Sequence, residues 1–431
     1  MEIVLTDDKT IIENLDVINK KIVSGEDIPS MFKSGLLDQV ITLMKNTNNQ
    51  DIQHDCVWIL VNITAASIGP ESTQILLKHP DVVPLLQRFL TSDDYKMVAI
   101  SLWCVTNMML DESRFFEQLN EGGIFINRLY ELSSLSTPQY CRYQMVSTFI
   151  EIVRLHQENK ISLQILQLLE DMILPMITRE LNDKEITIVE SLFSAVNIVI
   201  SILKDEIVGL DRFIMNKGLE KLCTIIYSSR CLNLDATRLL VECFGKITLL
   251  PETKYTRAVI SCGLLELLPA LLNETNPDGV QQMTAWTISN IAGDGVECIA
   301  ILVNQGVHRL IISLLMNASV FQDTKDEAAC ALCNMLVGCT SDVEKLVQDD
   351  AIRALAEIFN NTPIKLDIIY SIHKLSKHGK FDQKILESGL PEKFQALKKS
   401  NTIEGYDELF LWFDTIESIP SWFSVGQVVP V

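Results

Sequence analysis

Ala285-Trp286-Thr287-Ile288-Ser289-Asn290-Ile291-Ala292-Gly293-Asp294 sets a Trp and an Asn four residues apart, in a run with no helix breaker before Gly293. On an α-helix such positions lie on one face, one above the other, so the indole and the amide present themselves together. Thr287, Ile288 and Ile291 point elsewhere and suit a core. Two relatives of the stretch lie upstream, Cys56-Val57-Trp58-Ile59-Leu60-Val61-Asn62-Ile63 and Ser101-Leu102-Trp103-Cys104-Val105-Thr106-Asn107-Met108. The chain has only 5 Trp in all, so three Trp-x-x-x-Asn helices point to an internal repeat.

The numbering supports the repeat. Trp58 and Trp103 are 45 residues apart, and steps of 44 to 49 carry the position on through Ser147, Phe193, Glu242, Trp286 and Cys330. The partners four residues on are Glu151, Asn197, Lys246, Asn290 and Asn334, and a last step of 40 reaches Tyr370 and Lys374 in a degraded copy. A second marker keeps the same beat: small or turn-forming residues precede short apolar helices at Gly35, Pro80-Asp81, Gly122-Gly123, Gly218, Gly263, Gly306 and Gly389. A period of about 44 falls in the range of HEAT and armadillo repeats.

Each unit reads as three helices, for example a short one at 72–77, a middle one at 83–90 and a long one from 95 that carries the Trp and Asn. The polar turn Thr91-Ser92-Asp93-Asp94 supplies cap residues for the long helix. Three helices per unit favour armadillo over HEAT. The expected fold is therefore all-α, a right-handed armadillo-repeat superhelical solenoid of about nine to ten three-helix repeats. Residues 1–400 form a single array that opens with a half-formed repeat around 11–18, and 401–431 form a C-terminal cap and non-repetitive tail.

Composition narrows the reading. Hydrophobic residues make up 48% of the 431, with only 13 Pro, which suits a helix-rich, well-buried chain. No run of 18 or more apolar residues occurs, so no transmembrane helix is expected. The first residues, Met1-Glu2-Ile3-Val4-Leu5, lack the basic and long apolar regions of a secretory signal. The 11 Cys are an odd number scattered through helical runs, as reduced proteins use them. Cys330 and Cys333 have metal-like spacing but no further ligands near them in sequence, so no metal or cofactor is expected. Nothing marks a nucleophile, a phosphate loop or an acid–base pair, so an enzyme is not expected either. The net charge of −20 disfavours nucleic acid and anionic membranes and favours basic partners.

A buried Asn needs partners for two donors and an acceptor, which apolar packing does not supply. Repeats stacked about 10 Å apart are expected to hold Trp58 and Trp103 as parallel indole walls. The methylene stem of a Lys or Arg fits between such walls and its cation is drawn to the ring faces. The Asn row is then expected to pair with the backbone of an extended peptide. A receptor for a basic, unfolded segment follows.

The long helices that read Trp-x-x-x-Asn, with Ile and an Ala-Gly-Asp turn after the third, resemble the armadillo repeats of the importin-α family, receptors for basic nuclear localisation signals. The resemblance spans about residues 10–400. It implies a major signal site at Trp58, Asn62, Trp103 and Asn107. By the same resemblance Asp111 is the acidic partner of the key signal lysine, with Thr73 beside that pocket. A minor site is implied at Trp286, Asn290, Glu327 and Asn334. Import in cytoplasm and nucleus, an importin-β-type carrier and a nuclear export factor for recycling follow from the resemblance alone.

The departures from the family pattern matter as much. Ser147 and Glu151 stand where the next major-site pair belongs, and Glu151 is left to attract a basic side chain. Cys330 replaces a minor-site Trp, Glu242 and Lys246 replace a pair, and Lys246 is expected to repel a basic peptide. Ala66 stands where the family usually has Gly. Residues 1–20 hold only Lys9 and Lys20 and no Arg, so the family's basic importin-β-binding segment is expected to be absent. The site expected is a shortened major one with an impaired minor one. A scaffold that assembles proteins without reading such signals is the alternative.

Overall fold

The computed structural model describes residues 3, 7–24, 33–65, 70–112, 114–133, 136–155, 168–183, 196, 200, 207–229, 234–273 and 275–399. Among these every regular element is helical, so the all-α expectation holds. The Phe193/Asn197 step, Ala66 and the tail at 401–431 lie outside the described residues. The chain divides into two compact units, Met1–Leu210 and Asp211–Val431.

In the first unit, α1 (Asp8–Val23) is followed by α2 (Leu36–Asn46) and α3 (Gln50–Ala65). A complete triplet follows in α4 (Pro70–Lys78), α5 (Val82–Leu90) and α6 (Tyr95–Asp111). The next is α7 (Phe115–Leu119), α8 (Ile124–Leu132) and α9 (Gln139–Leu155), and α10 (Leu174–Asp183) follows. The long helices α1, α3, α6 and α9 pack each on the next. Thus α1, where a half-formed opening repeat was expected, takes the role of a long helix. The expected cap is present: the Asp94 side chain accepts the Lys96 amide at 2.9 Å at the start of α6.

The second unit repeats the triplet. Its helices are α11 (Ile207–Met215), whose first residues belong to the first unit, α12 (Gly218–Ser229), α13 (Leu234–Thr248), α14 (Thr253–Ser261), α15 (Leu264–Leu271) and α16 (Asp278–Gly293). Then come α17 (Val296–Asn304), α18 (Val307–Met316), α19 (Gln322–Met335), α20 (Thr340–Gln348), α21 (Ala351–Ile358) and α22 (Lys365–Ser376), with α23 (Asp382–Glu387) and α24 (Leu390–Lys399) last. Here α13, α16, α19 and α22 are the stacked long helices. Each unit buries its own apolar seam, Leu60, Leu102 and Phe149 in the first, Phe244, Ile288 and Leu332 in the second. Burial of a side chain of this size stabilises by roughly 1.5–3 kcal/mol, and a solenoid sums such terms repeat by repeat. Among the described residues no single helix is long and apolar enough to cross a membrane.

The corner between the first and second helices of a repeat explains the glycine marker. Gly35, Gly123, Gly263, Gly306 and Gly389 all stand there with φ between 74° and 97°, the left-handed region that closes a helix C-terminus and penalises a Cβ. Two corners do without glycine: Lys217 (φ 61°) precedes α12 and Asp350 (φ 69°) precedes α21. Asp350 fills the beat that is silent between Gly306 and Gly389, because Asp tolerates this conformation. Gly218 is small for another reason, since a Cβ there would stand 2.3 Å from the Phe213 ring.

The first unit also carries a ladder of arginines along its second helices. Arg88 donates to the Met44 carbonyl at 2.8 Å, Arg128 to the Leu90 carbonyl at 2.7 Å, and Arg179 to the Ser133 carbonyl at 2.9 Å. Each guanidinium reaches the orphan carbonyls, and the negative dipole end, of the corresponding helix one repeat back.

Candidate functional site

Trp58 and Trp103 sit on the adjacent long helices α3 and α6 of the first unit, as their spacing required. Trp58 is half-buried and Trp103 is 38% exposed. They do not form parallel walls. The ring centroids are 5.2 Å apart with the planes at 79°, an edge-to-face contact. A slot for an alkyl stem needs ring faces roughly 7 Å apart, twice an ordinary carbon contact, so no stem enters between these two. The physical cause is the ring quadrupole, which favours edge-on approach at this separation. Indoles from helices about 10 Å apart are long enough to meet.

The asparagines are also committed differently from expectation. Each donates its amide N–H to the long helix one repeat back: Asn62 to Asn19 Oδ1 at 2.9 Å, Asn107 to Thr64 Oγ1 at 3.3 Å, and Asn290 to the Gly245 carbonyl at 3.2 Å. Asn334 donates to both the carbonyl (3.0 Å) and the hydroxyl (3.2 Å) of Ser289. The Asn row is therefore first a set of staples between repeats, which is how a half-buried amide finds its partners. At least one amide N–H of each asparagine is thereby committed within the fold.

Asp111 ends α6, four residues past Asn107, and is half-buried. The fully buried Thr73 of α4 donates its hydroxyl to Asp111 Oδ2 at 2.5 Å. The sequence reading put these two residues side by side, and the fold does so. The contact fixes the carboxylate through one oxygen, and Oδ1 has no protein donor among the described residues. Trp103, Asn107 and Asp111 thus follow one another along α6, with an anchored anion at the end of the row.

Glu151 does not stand ready for a basic side chain. It is buried, and Arg154 on the next turn of α9 lies 3.7 Å from its carboxylate. Burial raises its pKa, and Arg154 opposes that shift. Ser147 is half-buried beside it.

In the second unit Trp286 is half-buried against Gly245 of α13. A Cβ on Gly245 would stand 2.1 Å from the Trp286 ring, so the indole occupies the space that any other residue would fill. Lys246 is not a free repulsive charge, because Glu242 on the same turn holds it at 2.9 Å while Arg238 approaches Glu242 at 3.4 Å. Glu327 is half-buried with its pKa raised by burial and then by Asp326. The Cys330 thiol beside it is pushed up to about 12, mainly by burial. In the last degraded copy Lys374 lies over the Tyr370 ring at 5.3 Å, so that pair satisfies itself.

Three-helix repeats whose long helices stack in register define an α-solenoid of the armadillo type. Residues 253–293, which contain Trp286 and Asn290, match the armadillo/beta-catenin-like repeat family. The chain resembles the crystal structure of an engineered protein solved by the Northeast Structural Genomics Consortium, with a TM-score of 0.69 at 17% identity over 96% of each chain. It also resembles a structure reported for a conserved phosphorylation switch that controls the interaction between cadherin and beta-catenin, with a TM-score of 0.56 at 11% identity. That second match covers 86% of this chain and 66% of the other. At such identities the likeness is one of fold. The fold is a scaffold suited to protein–protein interaction through an extended face.

Proposed function

We propose that the α3–α6 face of the first unit binds extended basic peptides of the nuclear-localisation-signal class, so that the protein acts as an import receptor or adaptor in cytoplasm and nucleus. The observation that supports this most directly is the Thr73–Asp111 pair. A half-buried carboxylate, held by a buried hydroxyl through one oxygen, keeps the other for a cation, and such a fixed acceptor loses little freedom on binding. Trp103 is exposed on the same helix, and its indole offers a face to an alkyl stem or a cation. The net charge of −20 steers basic segments toward the chain.

The two indoles in contact and the committed Asn donors argue for a smaller subsite than the sequence suggests. One lysine at Asp111 carries the recognition, and few backbone bonds accompany it. In the second unit Asp294 stands four residues past Asn290 and accepts the Thr253 hydroxyl at 3.5 Å, but its other oxygen is buried, so one-part signals are favoured over two-part ones. The scaffold reading, assembly without signal recognition, draws on the same Asn staples, which give Asn62, Asn107, Asn290 and Asn334 a role without any peptide.

Fluorescence anisotropy of a labelled Lys-rich one-part signal peptide separates the two. Asp111→Lys is expected to weaken binding by about 2–5 kcal/mol, the cost of breaking one desolvated charge pair and adding repulsion. Thr73→Val, which frees the carboxylate to turn, is expected to weaken it less. Weak binding that is equal in wild type and Asp111→Lys and vanishes with modest salt is plain charge attraction, and the scaffold reading then stands alone.

A further inference from the structure

Cys223 and Cys262, in the second unit, bring their sulfurs to 3.4 Å across 39 residues of chain. Cys223 lies in the middle of α12 and Cys262 follows α14 at the corner before α15. The two thiols therefore join consecutive repeats on the layer of second helices, away from the long helices that carry Trp286 and Asn290. Separately buried cysteines such as Cys104 and Cys243 are ordinary packing residues of the core. This pair is different, because each sulfur has the other as a neighbour at van der Waals distance. Each residue is also 7% exposed, whereas Cys56, Cys104 and Cys243 are 0%, so the pair lies nearer the surface than those.

We propose that Cys223 and Cys262 form a peroxide-sensitive dithiol site, whose oxidation product is a disulfide that locks two consecutive repeats together. The oxidation draws the sulfurs from contact to a bond of about 2.05 Å by rotation of the side chains. Cys262 attacks first. At rest the Cys262 thiol donates to the Val259 carbonyl at 3.0 Å; once that proton is lost, the Cys223 S–H and the Leu264 backbone N–H favour its thiolate against the opposing effect of burial. Cys223, which gives that hydrogen bond and is itself buried, is pushed up instead.

In the first step the Cys262 thiolate attacks one oxygen of hydrogen peroxide. An S–O bond forms, the O–O bond breaks, and hydroxide leaves to be protonated as water. In the second step the Cys223 sulfur, having given up its proton, attacks the Cys262 sulfenic sulfur. An S–S bond forms, the S–O bond breaks, and a second water leaves. Two thiols have lost two protons and two electrons, and one peroxide has gained both, so no other oxidant is required. A thiol reductant reverses the bond by exchange.

The test treats the folded full-length protein with hydrogen peroxide, blocks remaining thiols, digests without reduction and maps the products by mass spectrometry. The expected product is one linked species joining the Cys223 and Cys262 peptides, two hydrogens lighter than their sum and released by reductant. It is expected before the core thiols Cys104 and Cys243 react, with exposed Cys339 as the control for reagent access. The link is expected to vanish in Cys262→Ser and to persist in Cys298→Ser. In protein unfolded with urea beforehand, the preference for this pairing is expected to be lost. Oxidation of Cys339 alone overturns the proposal, and so does a singly oxidised Cys262 trapped by dimedone with Cys223 still a thiol. The wild-type map decides the matter whether or not the Ser variants fold.

Discussion

Trp103 in the first unit and Trp286 in the second stand at the same place in the same motif, yet their rings rest on different things. Trp103 meets Trp58 edge to face, whereas Trp286 lies against the backbone of Gly245. The deciding position is three residues past the Trp position on the preceding long helix. In the second unit that residue is Gly245, and in the first it is Val61, which is 1% exposed. A branched side chain there closes the seat that glycine leaves open, and the indole must find another partner.

The same substitution changes the asparagine staple. Asn290 reaches the Gly245 carbonyl directly, beside the Thr248 hydroxyl that also donates to it at 2.8 Å. In the first unit the Val61 carbonyl is bonded by the Thr64 hydroxyl at 2.9 Å, and Asn107 donates to that hydroxyl instead. Ser289, small like Gly245, again allows a direct bond from Asn334. A motif can therefore be kept letter for letter while its contacts are set by a residue about one repeat away.

The largest effect is expected at that seat. Gly245→Val puts a Cβ within 2.1 Å of the Trp286 ring and displaces it. Urea unfolding should show a loss of about 3 kcal/mol, the upper end for overpacking a core. Adding Trp286→Ala should recover part of it, which a double-mutant cycle reads as coupling. An unchanged midpoint in Gly245→Val would mean that the seat does not distinguish the units.

A smaller effect is expected in the other unit. Arg128→Met keeps the stem and removes the guanidinium that bonds the Leu90 and Ser92 carbonyls. A loss of about 2 kcal/mol follows for hydrogen bonds from a charged group. The place of Arg88, six residues past the start of α5, is Ala270 in α15 and Ser313 in α18, so substitutions there should lack this effect. Equal losses at Arg128 and Ser313 would erase the contrast.

The smallest effect is one of pH. His308 is 2% exposed, its Nε2 pairs with Asp349 Oδ2 at 2.8 Å, and its Nδ1 is buried with no hydrogen-bond partner. Burial lowers its pKa against the pull of Asp349, with Arg309 and Lys345 adding to the lowering. Its contribution is complete above the ordinary imidazole pKa of about 6.5 and is lost as pH falls through the lowered folded value. Glu151 in the first unit has the opposite sign. Its raised pKa gives a contribution complete below the ordinary carboxyl range, lost as pH rises through the folded value. Acidification from pH 7 should therefore loosen the second unit at His308, and His308→Gln should flatten that part of the stability profile. A profile unchanged by His308→Gln would remove this difference between the units.

The repeat was legible because a stacked unit must restate its apolar faces and its corner at every turn. The period, the triplets and the Asp94 cap all came from that. The corner at Asp350 was silent because its conformation, not its residue type, is what recurs. Thr73 and Asp111 were paired correctly, though by resemblance and not by spacing. The ring geometry of Trp103 was not legible, since Val61 decides it from 42 residues away. The arginine ladder leaves no regular signal, because Arg88, Arg128 and Arg179 are 40 and 51 residues apart, off the beat that the tryptophans set.

The staples have a mechanical consequence. Each asparagine ties its repeat to one neighbour only, so within a unit no bond of this kind spans two junctions. Under a pulling force, extension should proceed by detachment of single repeats. Each event would release about 44 residues, or about 150 Å of contour at the extended-chain spacing. Junctions that carry a direct amide-to-carbonyl bond, as at Gly245 and Ser289, should yield at higher force than the relayed one at Thr64.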